Sequence, residues 1–408
     1  MKKILLIFIA LLMTGIVFGQ TKTFDDWLES AKVKSKSGDH SGAVNDYSKA
    51  IELDAKSVTA WFGRAYERYQ NKNYYSSIED YNKVLELDPE EYNAFFNRGL
   101  AKYGNKDYTA AALDFSKAIV YNSQDHEAYY NRGLCKRKQE KYDEAISDYD
   151  KSIMIKVDYQ NAYYARGFCK EKVKDYIGAK MDYTTSIGLD ETDIDSWFGR
   201  AYCKYQLGEY ASSLTDYNKT LILDPEYTDA FFNRALAKDK VQDYTGAIED
   251  YSVVLAKTPT DHEAYYNRGL AKDALELYSA AIDDYTKAIN IKADYFKAYN
   301  ARGYAKDKLK NYGGAIADYD KCLEIAPSYA NAFANRGYVK YEQKDYTGAI
   351  DDYDKAILYS PESSSSWNNR GLAKYYLDLK TEACADWEKA KELGSSIAGS
   401  NITKFCKE

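Results

Sequence analysis

Ten arginines and eleven aspartates recur at fixed positions, and their spacing is the first place to look for chemistry. The arginines are Arg64, Arg98, Arg132, Arg166, Arg200, Arg234, Arg268, Arg302, Arg336 and Arg370. Each is followed sixteen residues later by an aspartate, from Asp80 to Asp386, and Asp46 precedes the series. Guanidinium and carboxylate groups in register either grip a charged ligand or pair with each other. Recurrence in nearly every unit suits a packing device, because a ligand site would be confined to a few units. A partly buried pair adds little net stability yet is costly to break from one side. Arg200→Ala is therefore expected to lower the melting temperature more than the same change combined with Asp216→Asn. The paired acids Asp283-Asp284 and Asp351-Asp352 have the composition of acid–base catalysts. Their recurrence on a helix surface reads instead as a solvated charged face. His126 and His262 are equivalents and His40 replaces a recurrent tyrosine, so no histidine cluster is implied. No nucleotide loop, nucleophile elbow or metal-ligand spacing is found. The chain reads as a non-enzyme with no cofactor.

The elements that position these groups follow from one period. From Phe24 to Ile397 a 34-residue pattern repeats eleven times without insertion or loss, starting at Phe24, Val58, Tyr92, His126, Gln160, Ile194, Thr228, His262, Phe296, Ala330 and Ser364. Such a period indicates an all-α solenoid of stacked helix-turn-helix units. Counting slots from each start, slot four is always aromatic, slot eight Gly or Ala, slot 20 Ala or Ser, and slot 24 aromatic. Small residues at slots eight and 20 let two helices approach, and the aromatics fill the space beside them. Slot 17, tyrosine in nine repeats, opens the second helix. All five prolines fall in slot 32, where the second helix must end.

This pattern, seen for example in Ala94-Phe95-Phe96-Asn97-Arg98-Gly99, resembles the tetratricopeptide repeat family, in an exported bacterial form. The resemblance implies a right-handed superhelix whose inner face binds peptide or protein segments. It places slots two, five, nine, twelve and thirteen on that face. The candidate partner-binding residues at slots five and nine are Phe62, Tyr66, Phe96, Tyr130, Tyr164, Phe168, Phe198, Tyr202, Phe232, Tyr266, Tyr304 and Tyr338. Apolar side chains there could bury those of a partner, or seal the junction between neighbouring first helices. A Lys-and-Asn clamp for acidic tails would use the same slots, and apolar residues hold most of them, so that function is not supported.

The ends and the composition narrow the setting. Residues 1–19 read as a signal peptide, with Lys2 and Lys3 before an apolar run and cleavage expected after Gly19. Residues 20–397 hold the repeats and 398–408 a capping tail. Losing Lys2 and Lys3 takes the formal charge from −7 to −9, which argues against nucleic acid as a partner. No integral membrane span is expected after cleavage, and the destination is periplasmic or secreted. Cys135, Cys169, Cys203 and Cys322 occupy small-residue slots, whereas a bond between Cys384 and Cys406 would pin the C-terminus. Repeats four and eight share 22 of 34 residues, so a four-unit block is duplicated. Two functions stay open: a non-catalytic protein-binding scaffold of the bacterial cell envelope, or a cell-wall glycan module using groove aromatics.

Overall fold

The turn inside each hairpin is built from local chemistry. In repeat three the first helix, Tyr92–Gly104, stops where Lys106 takes a left-handed φ of 65°. That reversal lets the Asp107 and Lys106 amides donate back to the Lys102 and Tyr103 carbonyls, both at 2.9 Å. Asp107 then caps the second helix, Tyr108–Tyr121, accepting from the Ala110 amide at 3.0 Å. The same left-handed position is Gly38 in repeat one and Gly208 in repeat six, but a charged or amide residue in the others.

The computed structural model describes residues 22–406, and the leader read at 1–19 lies outside them. Among the described residues there are 23 helices and no strand, and none is long and apolar enough to cross a membrane. The chain divides into two compact units, Met1–Gly199 and Arg200–Glu408. Within each, a first helix of 13 residues packs antiparallel to a second of 14, or 13 in the last hairpin, as His126–Lys138 does with Tyr142–Ile155. The second helix then packs on the next first helix, which makes the array a helical solenoid.

Packing explains the constant slots. The slot-24 ring is buried in every hairpin, from Tyr47 to Trp387. A Cβ added at Gly133 would meet the Tyr149 ring at 2.6 Å, and one at Gly269 the Tyr285 ring at 2.5 Å. Slot eight is therefore small because the neighbouring helix's aromatic occupies the space. Slot-four tryptophans tie successive repeats, as Trp61 Nε1 donates to the Ala55 carbonyl at 2.9 Å and Trp367 Nε1 to that of Pro361 at 2.8 Å.

The last helix, Ser396–Phe405, lays Phe405 on Tyr375 and Trp387 with ring centres 4.5 and 5.7 Å apart. It begins two residues ahead of the tail boundary drawn from the period. Cys384 and Cys406 are joined across this cap, Cα atoms 5.9 Å apart. The slot-ten cysteines Cys135, Cys169 and Cys203 are buried as small core residues, and burial pushes the Cys135 and Cys169 thiols up to about 12.

Candidate functional site

The arginine–aspartate series forms a frame between helices. Arg268 Nε and Nη2 hold the two oxygens of Asp284, each at 2.8 Å, and Asp284 is only 1% exposed. Lys272, one turn further along the first helix, adds a third contact at 2.7 Å. The remaining guanidinium nitrogen donates to Ser252 on the preceding repeat at 2.9 Å, so one arginine links two second helices. The slot-four ring lies beside it, Tyr265 with its centre 5.5 Å away. Repeat four repeats the arrangement with Arg132, Asp148, Lys136 and Ser116. In repeat one, Ser30 at 2.6 Å and Lys34 at 2.7 Å hold Asp46 instead. With all three donors committed to an internal carboxylate, this ladder is structural.

The slot-five rings turn inward. Phe62, Phe96, Tyr130, Tyr164, Phe232 and Tyr266 lie half-buried against the slot-24 ring of their own hairpin, with centres 5.4 to 6.0 Å apart. Phe198 is half-buried as well. At slot nine the exposure rises to 40% for Tyr66 and Tyr304 and 41% for Tyr338. Tyr202 is half-buried, and Phe168 sits between Arg137 at 5.1 Å and Lys172 at 4.8 Å. Slot nine, rather than slot five, is the accessible aromatic stripe.

The most distinctive chemistry lies at slot twelve, a position the family resemblance pointed to but whose residues the aromatic list passed over. In repeats seven to nine it is Asp239, Asp273 and Asp307. Asp239 Oδ2 accepts from the buried Tyr251 hydroxyl and Asp273 Oδ2 from that of Tyr285, both at 2.8 Å. The other oxygen of each carboxylate is covered and has no hydrogen-bond partner. Burial pushes both carboxyls up to about 6 despite the tyrosine bonds, and it raises Asp307 too. Asp273 lines an open cavity of about 550 Å³ with Tyr266, Asn300, Tyr304, Asn331 and Asn335. Asp239 lines a neighbouring one of about 250 Å³ with Tyr205, Lys240 and Asn267. In the first unit a cavity of about 310 Å³ lies between Phe62, Thr59, Tyr47, Glu91 and Asn93. The readable signal was the variability of slot twelve amid constant neighbours: Tyr103, Arg137, Glu171, Tyr205, then three aspartates.

The histidines do not converge. His126 and His262 pack edge-on against Tyr159 and Tyr295, at 4.8 and 5.2 Å, and His40 contacts the buried Glu67 at 2.7 Å. Among the described residues no group of three His, Cys, Asp or Glu is placed to hold a metal.

Comparison with known proteins supplies the family. Sequence models described as tetratricopeptide repeat match residues 126–159, 262–295, 296–329, 330–363, 28–92 and 198–262, together well over half of the chain. Curated protein sequences return no match. Among solved structures, a tetratricopeptide repeat protein from Parabacteroides merdae is 17% identical with a TM-score of 0.51, covering 61% of this chain and 99% of that one. YrrB, described as a TPR protein with an unusual peptide-binding site, gives 22% and 0.44 over 47% of this chain and 98% of its own. The APC/C complex Cut9-Hcn1 gives 13% and 0.49, covering 94% and 90%. The matched repeats, set on hairpins closed by the slot-eight and slot-24 contacts, place this chain in the tetratricopeptide repeat family.

Proposed function

We propose that the chain is a non-catalytic scaffold of the bacterial cell envelope that binds peptide or protein segments on its first-helix face. The observation that carries this reading is the contrast between the two kinds of side chain on the hairpins. Arginines, lysines and aspartates at the constant slots are spent on one another, as in Arg268, Lys272 and Asp284. Side chains at the variable slots, among them Tyr304, Asn331 and Asn335, line an open cavity instead. Aromatic and amide groups on a rigid face suit the apolar side chains and main-chain amides of an extended segment. The exported setting rests on the leader at 1–19. A cell-wall glycan partner has less support: the slot-five rings face the slot-24 rings, which leaves the slot-nine rings Tyr66, Tyr304 and Tyr338 to stack on sugars.

The test is an envelope-fraction pull-down with the wild-type chain and a Tyr304→Ala, Tyr338→Ala variant of equal melting temperature. Proteins retained by the first and lost by the second are expected. Identical retention by both sinks the groove reading, and fractionation that leaves the chain in the cytoplasm sinks the envelope setting.

A further inference from the structure

We infer that the first-helix face of repeats seven to nine is a subsite for cationic side chains of an extended basic peptide, with Asp273 and Asp239 as their counter-charges. This rests on the groove reading above and adds the chemistry of the partner. Asp273 opens onto the cavity of about 550 Å³, flanked by the Tyr266 and Tyr304 rings and by an amide pair, Asn335 Nδ2 donating to Asn300 Oδ1 at 3.1 Å. One oxygen of Asp273 serves Tyr285 and the other has no donor, and Asp239 repeats the arrangement. Asp307, the next step of the ladder, is 9% exposed and neither accepts a side-chain hydrogen bond nor joins an ion pair. Three poorly satisfied carboxylates in consecutive repeats lack the donors that ammonium or guanidinium groups supply.

The chain's own cations do not fill that role. Lys272 and Lys306 are held on Asp284 and Asp318, both at 2.7 Å; Lys240 and Lys308, next in sequence to Asp239 and Asp307, favour those charges only at a distance, and Lys308 lies over the Tyr304 ring at 5.0 Å. Nor does packing require the acids. The equivalent hydroxyls of Tyr81 and Tyr149 are buried with no hydrogen-bond partner, so the hairpin forms without a slot-twelve carboxylate. An asparagine would accept from the tyrosine equally well and carry no charge. Burial pushes the two carboxyls up to about 6, so both are ionised at pH 7.5, at a cost that a packing residue need not incur. Stacked helices lie ~8–10 Å apart. A segment in the extended polyproline II form advances ~3.1 Å per residue with three residues per turn, so every third side chain points the same way and meets one carboxylate.

The test uses the full chain without its leader and a fluorescein-labelled decapeptide with lysine at every third position among Ser, Asn and Gly. The same peptide with acetyl-lysine or glutamate at those positions serves as comparison, by anisotropy at pH 7.5. The lysine form should bind at least about tenfold more tightly than the acetylated one, the scale of one charge-assisted hydrogen bond. Asp273→Asn and Asp239→Asn should each remove most of that preference, while Asp351→Asn, an equal change in net charge on an exposed residue, leaves it intact. Equal binding of lysine and acetyl-lysine peptides, or indifference to both Asn variants, overturns the inference and leaves the groove reading standing. An equal loss with Asp351→Asn reduces the effect to net charge and also overturns it. Failure of all three peptides overturns it too, and the envelope pull-down then judges the groove reading separately.

Discussion

Repeats four and eight begin with the same nine residues, His126 to Leu134 and His262 to Leu270; the next position swaps one small residue for another, Cys135 for Ala271, and the charge reverses two places further on, where Arg137 stands in one and Asp273 in the other. Their frames are alike: Arg132 to Asp148 at 2.6 Å, Arg268 to Asp284 at 2.8 Å, and a histidine edge-on to a tyrosine in each. Their faces are opposite. Arg137 lies over Phe168, whereas Asp273 turns one oxygen to Tyr285 and lines a cavity. Beneath them the Tyr149 hydroxyl lacks a partner that Tyr285 has. The duplicated block kept the contacts that build a hairpin and changed the charge it presents, because slot seven is tied on three sides and slot twelve on at most one.

The frame is the hardest part of this comparison to break. Arg132→Ala and Arg268→Ala should each cost about 3–5 kcal/mol, since either leaves a buried carboxylate with its lysine alone. Adding Asp148→Asn or Asp284→Asn should recover part of the loss. Urea midpoints measure this, and losses differing by more than about 1 kcal/mol would show that the two frames are not equivalent. Reducing the Cys384–Cys406 bond comes next. Its loop, with a sequence separation of 22, is worth about 3 kcal/mol in the chain-entropy model. Hydrogen exchange should rise in the last helices and stay unchanged in the first unit; a uniform rise contradicts a local cap.

Asp273→Asn should act in the opposite direction. Folding raises the Asp273 pKa from 3.8 to about 6, so between those values the folded chain binds more protons than the unfolded one. Stability therefore falls as pH rises through that window, and the charge is a liability above it. The variant should gain about 1–2 kcal/mol at pH 7.5, after allowance for partial exposure, and nothing below about pH 4. Arg137→Ala removes no carboxyl and should show no matching pH profile in parallel melts. The smallest effect concerns the turns. Lys106→Gly and Lys310→Gly relieve left-handed backbone at φ 65° and 60°, and each should stabilise the fold by about 0.5–1 kcal/mol, seen as a slightly higher melting temperature. A loss at either site would mean that the lysine side chain matters there.

Much of this was legible in the chain because the period repeats every constraint. Slots eight, 20 and 24 announce a close helix pair, and the sixteen-residue arginine–aspartate offset announces its clamp. The aromatic list was less informative about the face. Slots five and nine are both apolar in sequence, and nothing local says that Tyr266 packs on Tyr285 while Tyr304 stays 40% exposed. The slot-twelve aspartates carry no local sign of burial, since that burial comes from residues of other helices.

By itself, the sequence determined the helices, their turns and the hairpin. Each depends on residues within one period of 34, where periodicity, caps and small-residue slots act locally. Only the tertiary structure decided which variable side chains meet. The cavity beside Asp273 draws on first helices from repeats eight to eleven, and the orphaned carboxylate oxygen is a property of the packing of its own hairpin and neighbours. Burial and unmet hydrogen bonds are relations between distant residues, so they exist only once the repeats are stacked.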